Sequence, residues 1–251
     1  MKNVVVVKFG GSLTKNKDAQ KKFIRNLAAF SKSKKEKIIL VHGGGPEINN
    51  LLQKFNIESK FVNGLRYTDK QTLEVVEMAL SGKVNKMLTS ELIKCGINAV
   101  GISAKDGSIA LCKTVKELGF VGNPVKINTK LLEILMQKNF FPVVSSVGID
   151  KNADSVNINA DTLATEIAIA FKASKLIFLT DVPGVLDKDG KTIKEVKIKK
   201  IEGLIKTNVI TGGMIPKINS CMQAVDQGVK EVLIIDGASG IKKLKGTVIR
   251  K

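Results

Sequence analysis

The sequence contains no tryptophan, one tyrosine, one histidine and three cysteines among 251 residues. Each scarcity removes a class of function. With His42 as the sole histidine there is no Ser-His-Asp triad and no histidine-based metal centre, so His42 is expected to be a structural residue. Cys95, Cys112 and Cys221 are odd in number, far apart and without a Cys-x-x-Cys, and they read as small buried residues, neither a disulfide frame nor a metal site. Single-strand nucleic-acid readers need aromatic stacking platforms, which are missing. The longest apolar runs, such as Val4–Val7, are far below the roughly 20 residues of a membrane span, and no cleavage-site pattern follows this one. A cytosolic protein is expected.

Charge is the one excess. The chain carries 41 Lys and Arg against 23 Asp and Glu, a net +18. Only Arg25, Arg66 and Arg250 are arginines, and the lysine-rich stretches at 31–37, 194–206 and 241–245 carry almost no aromatics. They read as solvated faces rather than a nucleic-acid footprint, with an acidic protein partner left open.

Apolar runs at Val4–Val7, Ile38–Val41, Ala99–Ile102, Phe141–Ser145, Leu176–Leu179 and Glu231–Ile235 alternate with helix-period stretches. In Lys70–Cys95 the positions Leu73, Val76, Leu80, Val84, Met87 and Leu88 recur at steps of three and four, which predicts a helix or a pair of helices. Another helix is expected over Asp161–Phe171, and the glycine-punctuated stretch Gly107–Asn128 reads as a hairpin-like insertion. Continuous Val/Ile/Leu strands alternating with helices predict a three-layer αβα sandwich around a mainly parallel open sheet, with an internal seam near Lys172–Lys175.

In such sheets anions collect where strand carboxyl ends meet helix amino ends. Lys8-Phe9-Gly10-Gly11-Ser12 and His42-Gly43-Gly44-Gly45-Pro46 fall there, though neither fits the Rossmann or the Walker pattern. Three consecutive glycines sacrifice backbone entropy without packing in return, which argues for close backbone approach by a ligand. Lys8, inside an apolar strand, requires an anion unless it snorkels at an edge. Lys217, after Gly212-Gly213-Met214-Ile215-Pro216, sits in a helix's first turn, where the dipole disfavours a cation unless a ligand anion accompanies it.

Arg66 stands out in a chain that uses lysine almost everywhere else: its planar fork suits a carboxylate, or else pairs structurally with Asp69. Asn157-Ile158-Asn159-Ala160-Asp161 either caps a helix or supplies a hydrogen bond to substrate from Asn157 and an acceptor from Asp161. Thr180-Asp181-Val182-Pro183-Gly184-Val185 is a plain turn or a nucleotide edge. An inventory rich in lysine and glycine but poor in bases suits phosphoryl transfer to a carboxylate, which is already a nucleophile at neutral pH.

Taken together these segments, with Asn63-Gly64-Leu65-Arg66-Tyr67-Thr68-Asp69, resemble the amino-acid kinase family, in family order from residue 4 to 217. Within it the similarity is to the branch that phosphorylates the side-chain carboxylate of N-acetyl-L-glutamate with ATP in arginine biosynthesis. The resemblance implies that Lys8 and Lys217 stabilise the γ-phosphoryl group and that Asp161 orients both. It gives Gly44, Gly45, Arg66 and Asn157 to the substrate. Gly10, Gly11, Thr180, Asp181, Val182, Pro183, Gly184, Val185, Val209, Ile210 and Thr211 go to ATP, with Mg²⁺ held mainly by phosphates and no protein metal ligand. It also implies a substrate-binding and dimerising lobe, 1–173, and an ATP lobe, 174–251.

The start only seven residues before Lys8 leads us to expect a homodimer insensitive to arginine. A kinase for aminoadipate or glutamate on an acidic amino-group carrier protein is the nearest rival, which the basic surface favours. Leu118-Gly119-Phe120-Val121-Gly122 and Met214-Ile215-Pro216-Lys217 favour the free substrate. A non-catalytic sensor of amino acid or nucleotide is the rival from another class, and retention of Lys8, Asp161 and Lys217 together speaks against it.

Overall fold

The computed structural model describes residues 3–10, 17–33, 36–212, 214–237, 241 and 244–251. In chain order the elements are β1 (Val4–Phe9), α1 (Lys17–Ser33), β2 (Lys37–His42), α2 (Gly45–Lys54), β3 (Phe61–Val62), β4 (Leu65–Arg66), α3 (Lys70–Glu77), a π-helical segment (Met78–Val84) and α4 (Asn85–Lys94). There follow β5 (Ala99–Ser103), β6 (Ala110–Thr114), β7 (Gly122–Ile127), α5 (Lys130–Gln137), β8 (Phe141–Ser145), β9 (Val147–Ile149), β10 (Ser155–Asn157) and α6 (Ala160–Ala170). The last are β11 (Lys175–Thr180), β12 (Glu195–Lys197), α7 (Ile198–Lys206), α8 (Met214–Asp226), β13 (Glu231–Asp236) and β14 (Gly246–Arg250). Every apolar run predicted as a strand is one, and the class is α/β with mostly parallel strands.

The chain packs as two compact units, Met1–Ile38 with Ala164–Lys251, and Ile39–Leu163. In the first, the strands run in the order β12-β14-β13-β11-β1, parallel throughout except where β14 turns back against β13. Val4 to Val7 are at most 1% exposed, which is why they read as an unbroken apolar run. Helix α1 buries Phe23, Ile24, Leu27 and Phe30, and the Phe23 ring meets Phe9 at 5.1 Å between centroids.

The second unit holds the parallel strands β2-β8-β5, the four-stranded sheet β10-β9-β6-β7 and the β3–β4 hairpin. The hairpin-like insertion is β6–β7, paired antiparallel with a bulge between Leu111 and Cys112. The predicted helix over Lys70–Cys95 is one helical run whose middle widens to a π-helix, keeping Leu73, Val76, Leu80, Val84 and Leu88 buried along it. Ile48 and Leu52 of α2 pack against Val76, Ala79 and Leu80 of that run.

Charge and apolar exposure divide between the units. The first carries 27 Lys and Arg against 11 Asp and Glu, net +16, and the second 14 against 12, net +2. Among the described residues the large apolar side chains that stand exposed, including Phe55, Met78, Ile93, Val125 and Ile134, all lie in the second.

Phe23→Ala removes a fully buried ring from the packing between α1 and β1. It should cost about 3–5 kcal/mol of stability, read as a lower urea midpoint.

Candidate active site

Strand β2 delivers His42 and the three glycines to the amino end of α2. A Cβ on Gly43 would stand 3.1 Å from that of Ala160, and one on Gly44 would stand 2.7 Å from Leu80 Cδ2. A side chain at either position would press on these neighbours, which the sequence reading did not foresee, whereas Gly45 faces open space. The Gly44 carbonyl accepts from the amides of Glu47 and Ile48, each at 2.9 Å. The amides of Gly44 and Gly45 donate to nothing among the described residues, and they lie at a helix amino end, where the dipole favours an anion.

His42 holds this loop in place. Its Nδ1 lies 2.9 Å from the Gly43 carbonyl, which can only accept, so the proton is on Nδ1. Nε2 then faces Asn85 Nδ2 at 3.1 Å, and the two protons of that amide group are shared among it and the Ile102 and Val143 carbonyls at 3.0 and 2.9 Å. Asn85, the first residue of α4, thereby ties the ends of β2, β5 and β8 together. Complete burial depresses the His42 pKa to about 4, with the nearby Lys86 charge a lesser contributor. The expectation of a structural histidine holds.

Arg66 projects from β4. It donates to Ser59 Oγ, donates to Asn49 Oδ1 of α2 at 2.6 Å, and lies 4.8 Å over the Phe61 ring. Burial lowers its pKa, the mark of a partly desolvated cation. Asp69 is engaged elsewhere, as the amino cap of α3 accepting from the Thr72 amide at 2.8 Å. That hydrogen bond holds the Asp69 carboxyl below its ordinary value.

Asn157 ends β10 and donates through Nδ2 to Thr68 Oγ1 at 3.1 Å. Capping of α6 falls to Asn159, whose Oδ1 accepts from the amides of Asp161 and Thr162 at 2.8 and 3.2 Å. Of the residues assigned to substrate, Arg66 thus bonds Asn49 of α2, the helix that Gly44 and Gly45 open, and Asn157 bonds Thr68, two residues after Arg66. Asn49, Ser59, Thr68 and Asn85 escaped the sequence reading, since an isolated Asn, Ser or Thr carries no pattern. The run of residues around Arg66 was the only signal available.

In the other unit, Lys8 of β1 is in parallel register with Phe178 of β11, so both side chains leave the same face. Lys217 Nζ lies 5.1 Å over the Phe178 ring. Two lysines 209 positions apart in sequence thus meet at one buried aromatic. Gly10 follows β1 and is buried, while Gly11 lies outside the described residues.

At the end of β11, Thr180 Oγ1 contacts Asp181 Oδ1 at 3.1 Å and the Gly237 amide donates to the Thr180 carbonyl. Gly184 has φ +149°, and a Cβ there would stand 2.6 Å from Thr247 Oγ1. The Val185 amide donates to that hydroxyl at 2.8 Å. Thr180 to Val185 is therefore braced by local hydrogen bonds. Val209 and Ile210 turn back onto α7 through hydrogen bonds to the Leu204 carbonyl, and Thr211 precedes α8, with its carbonyl accepting from the Met214 amide.

Cys112 is buried, and desolvation pushes its thiol up to about 12, so it is inert. Among the described residues no three His, Cys, Asp or Glu side chains group closely enough to hold a metal ion, and no helix is long and apolar enough to cross a membrane.

A profile of the amino acid kinase family matches residues 3–236. The chain belongs to the amino acid kinase family. An acetylglutamate kinase of Endomicrobium trichonymphae is 61% identical over the whole of both chains, and one of Clostridioides difficile is 44% identical over 98% of this chain and 91% of its own. Among solved structures, smu.665 from Streptococcus mutans UA159 has a TM-score of 0.84 at 34% identity, over 100% of this chain and 99% of its own. The carbamate kinase of Giardia, with a TM-score of 0.75 and 18% identity over 100% of this chain and 99% of its own, shares the fold.

Because the folded His42 pKa is depressed, the unfolded chain binds its proton first as pH falls. Stability from this residue is intact above about pH 6.5 and is lost toward pH 4, by roughly 3 kcal/mol. Urea melts at pH 7 and pH 5 should show a smaller difference for His42→Gln than for the wild type.

Proposed function

We propose that the chain is an acetylglutamate kinase: it transfers the γ-phosphoryl group of ATP to the side-chain carboxylate of N-acetyl-L-glutamate, forming N-acetyl-L-glutamyl 5-phosphate in arginine biosynthesis. The observation that carries this reading is identity with a curated acetylglutamate kinase along the full length of both chains. The geometry supports it. A carboxylate oxygen attacks the γ-phosphorus, the bond to the bridging oxygen breaks, and ADP departs with the electron pair. No proton has to move, and a site whose one histidine is buried and locked as the neutral form is adequate to that chemistry.

Arg66 takes the α-carboxylate, the Gly44 and Gly45 amides seat the acceptor, and Asn157 meets its other end. Lys8 and Lys217 neutralise charge on the transferring group, with Asp161 assigned to orient them. Gly10, Gly11, Thr180 to Val185 and Val209 to Thr211 hold ATP. When bound, Mg²⁺ supplies further charge neutralisation and is carried mainly by the phosphates. The setting is the cytoplasm, where free thiols such as Cys95 persist.

The second unit also serves association. Its near-neutral charge and exposed Phe55, Met78 and Ile93 suit a self-complementary contact, whereas the +16 of the first unit repels its own copy. Light scattering should give twice the 27.1 kDa of one chain, and a monomer would overturn the homodimer.

A coupled assay offering free N-acetyl-L-glutamate, glutamate, aspartate and acceptors linked to an acidic carrier protein tests the substrate. Turnover is expected with free N-acetyl-L-glutamate. Turnover only on carrier-linked acceptors transfers the assignment to that branch, and none at all favours a non-catalytic sensor. Lys8→Ala and Lys217→Ala should each lower kcat by about 10²–10³ while KM for either substrate moves far less, since both charges act on the transition state.

A further inference from the structure

Thr68 is fully buried, yet it is flanked by the two residues assigned to opposite ends of the acceptor. Its hydroxyl donates to the Arg66 carbonyl at 3.3 Å and accepts from Asn157 Nδ2 at 3.1 Å. The direction is forced. A carbonyl can only accept, so the hydroxyl proton points to Arg66 and the lone pair to Asn157, whose amide must present its NH₂ group there. The Asn157 oxygen is thereby turned away from Thr68, and one orientation of the amide is selected.

The backbone of the same residue is clamped as firmly. The Thr68 amide donates to the Leu118 carbonyl at 2.9 Å, and the Phe120 amide donates to the Thr68 carbonyl at 2.7 Å. On its other side this segment bonds the substrate residue directly, with the Asn157 amide donating to the Phe120 carbonyl at 2.8 Å. Thr68 pairs with Gly119 and Val121 with Asn157 as parallel bridges. Leu118–Phe120 is therefore a strut with Thr68 on one flank and Asn157 on the other. Gly119 makes this close approach possible: its φ is +71°, and a Cβ would stand 2.3 Å from the Thr68 carbonyl oxygen.

We propose that Thr68, with the Leu118–Phe120 strut it grips, sets the separation and hydrogen-bond polarity of Arg66 and Asn157, and so selects the acceptor by chain length. Thr68 is a positioning residue, acting through Asn157 and touching no substrate atom itself. The proposal rests on the acceptor reading given above. Selection by length follows because an acceptor gripped at both ends loses one grip when it is a methylene too short, and a missing methylene is ordinarily worth only about 10–200-fold.

Thr68→Val keeps the shape and deletes the hydroxyl. With N-acetyl-L-glutamate its acceptor KM should rise about tenfold, the weight of one hydrogen bond, with KM for ATP within about twofold of wild type. Discrimination against N-acetyl-L-aspartate, one methylene shorter, should fall by a similar factor. Thr68→Ser should restore both values. In Asn157→Ala the Thr68→Val change should add nothing, because the path through Asn157 is already cut.

Should Thr68→Val not accumulate folded, Thr68→Cys, with a weak donor in nearly the same volume, should show about a threefold rise. The proposal is overturned if Thr68→Val leaves acceptor KM and discrimination unchanged, if it raises both KM values in proportion, or if its effect multiplies with that of Asn157→Ala. Wild-type protein that turns over neither acceptor overturns the acceptor reading as well, whereas an active wild type with an indifferent Thr68→Val overturns this proposal alone.

Discussion

Repulsion between two anions is the constraint on which the rest of the structure depends. A carboxylate nucleophile and a γ-phosphoryl group are both negative, and at 4 Å two unit charges cost about 4 kcal/mol even in an effective dielectric of 20. That is close to a thousandfold in rate. The strands of the first unit place Lys8 beside Phe178, and α8 places Lys217 over the same ring. Neither position suits a lysine without an anion, one being in a buried strand and the other in a helix's first turn.

On the acceptor side the means are different. The seat proposed for the acceptor comprises backbone amides, one guanidinium and one carboxamide, the last two positioned by hydrogen bonds to Ser59, Asn49 and Thr68. His42 contributes by being unable to titrate in the working range: burial keeps the ring neutral, and the Gly43 carbonyl holds its one proton on Nδ1. Asn85 secures the other ring nitrogen and two strand ends at once. The packing of Leu80 under Gly44 adds a steric stop, and Leu80 belongs to the π-helical turn that lets one continuous helix serve both the core and the loop.

The strands were legible because burial on both faces writes itself as unbroken Val, Ile and Leu, as in Val4–Val7. Arg66 was legible because arginine is scarce here, and Lys8 because a charge interrupts an apolar run. Thr68, Asn49, Ser59 and Asn85 were not, since their importance lies in partners 2 to 89 residues away and no periodicity records such distances. The π-helical turn was also hidden: one extra residue in a turn barely disturbs a three-and-four spacing. For Gly43 and Gly44 the residue type was singled out for ligand approach, and the packing of Ala160 and Leu80 beside them was not foreseen. A side chain at either position would press on Ala160 or Leu80, so small size there also suits the local packing.

The uneven charge follows from the same constraint. A uniformly basic chain would resist self-association, while a uniformly neutral one would give a polyanion no reason to linger. Here +16 is confined to the unit that carries Lys8 and Lys217, and the unit with the acceptor seat is nearly neutral and keeps its apolar side chains exposed. The acceptor is itself an anion, so a basic field around its seat would strengthen its binding in the ground state as much as in the transition state, lowering KM without raising kcat. Recognition by directed hydrogen bonds avoids that. In the proposed site it leaves Arg66 as the cation assigned to the acceptor and lets the acceptor be chosen by geometry, through Arg66, Asn157 and the strut beside them.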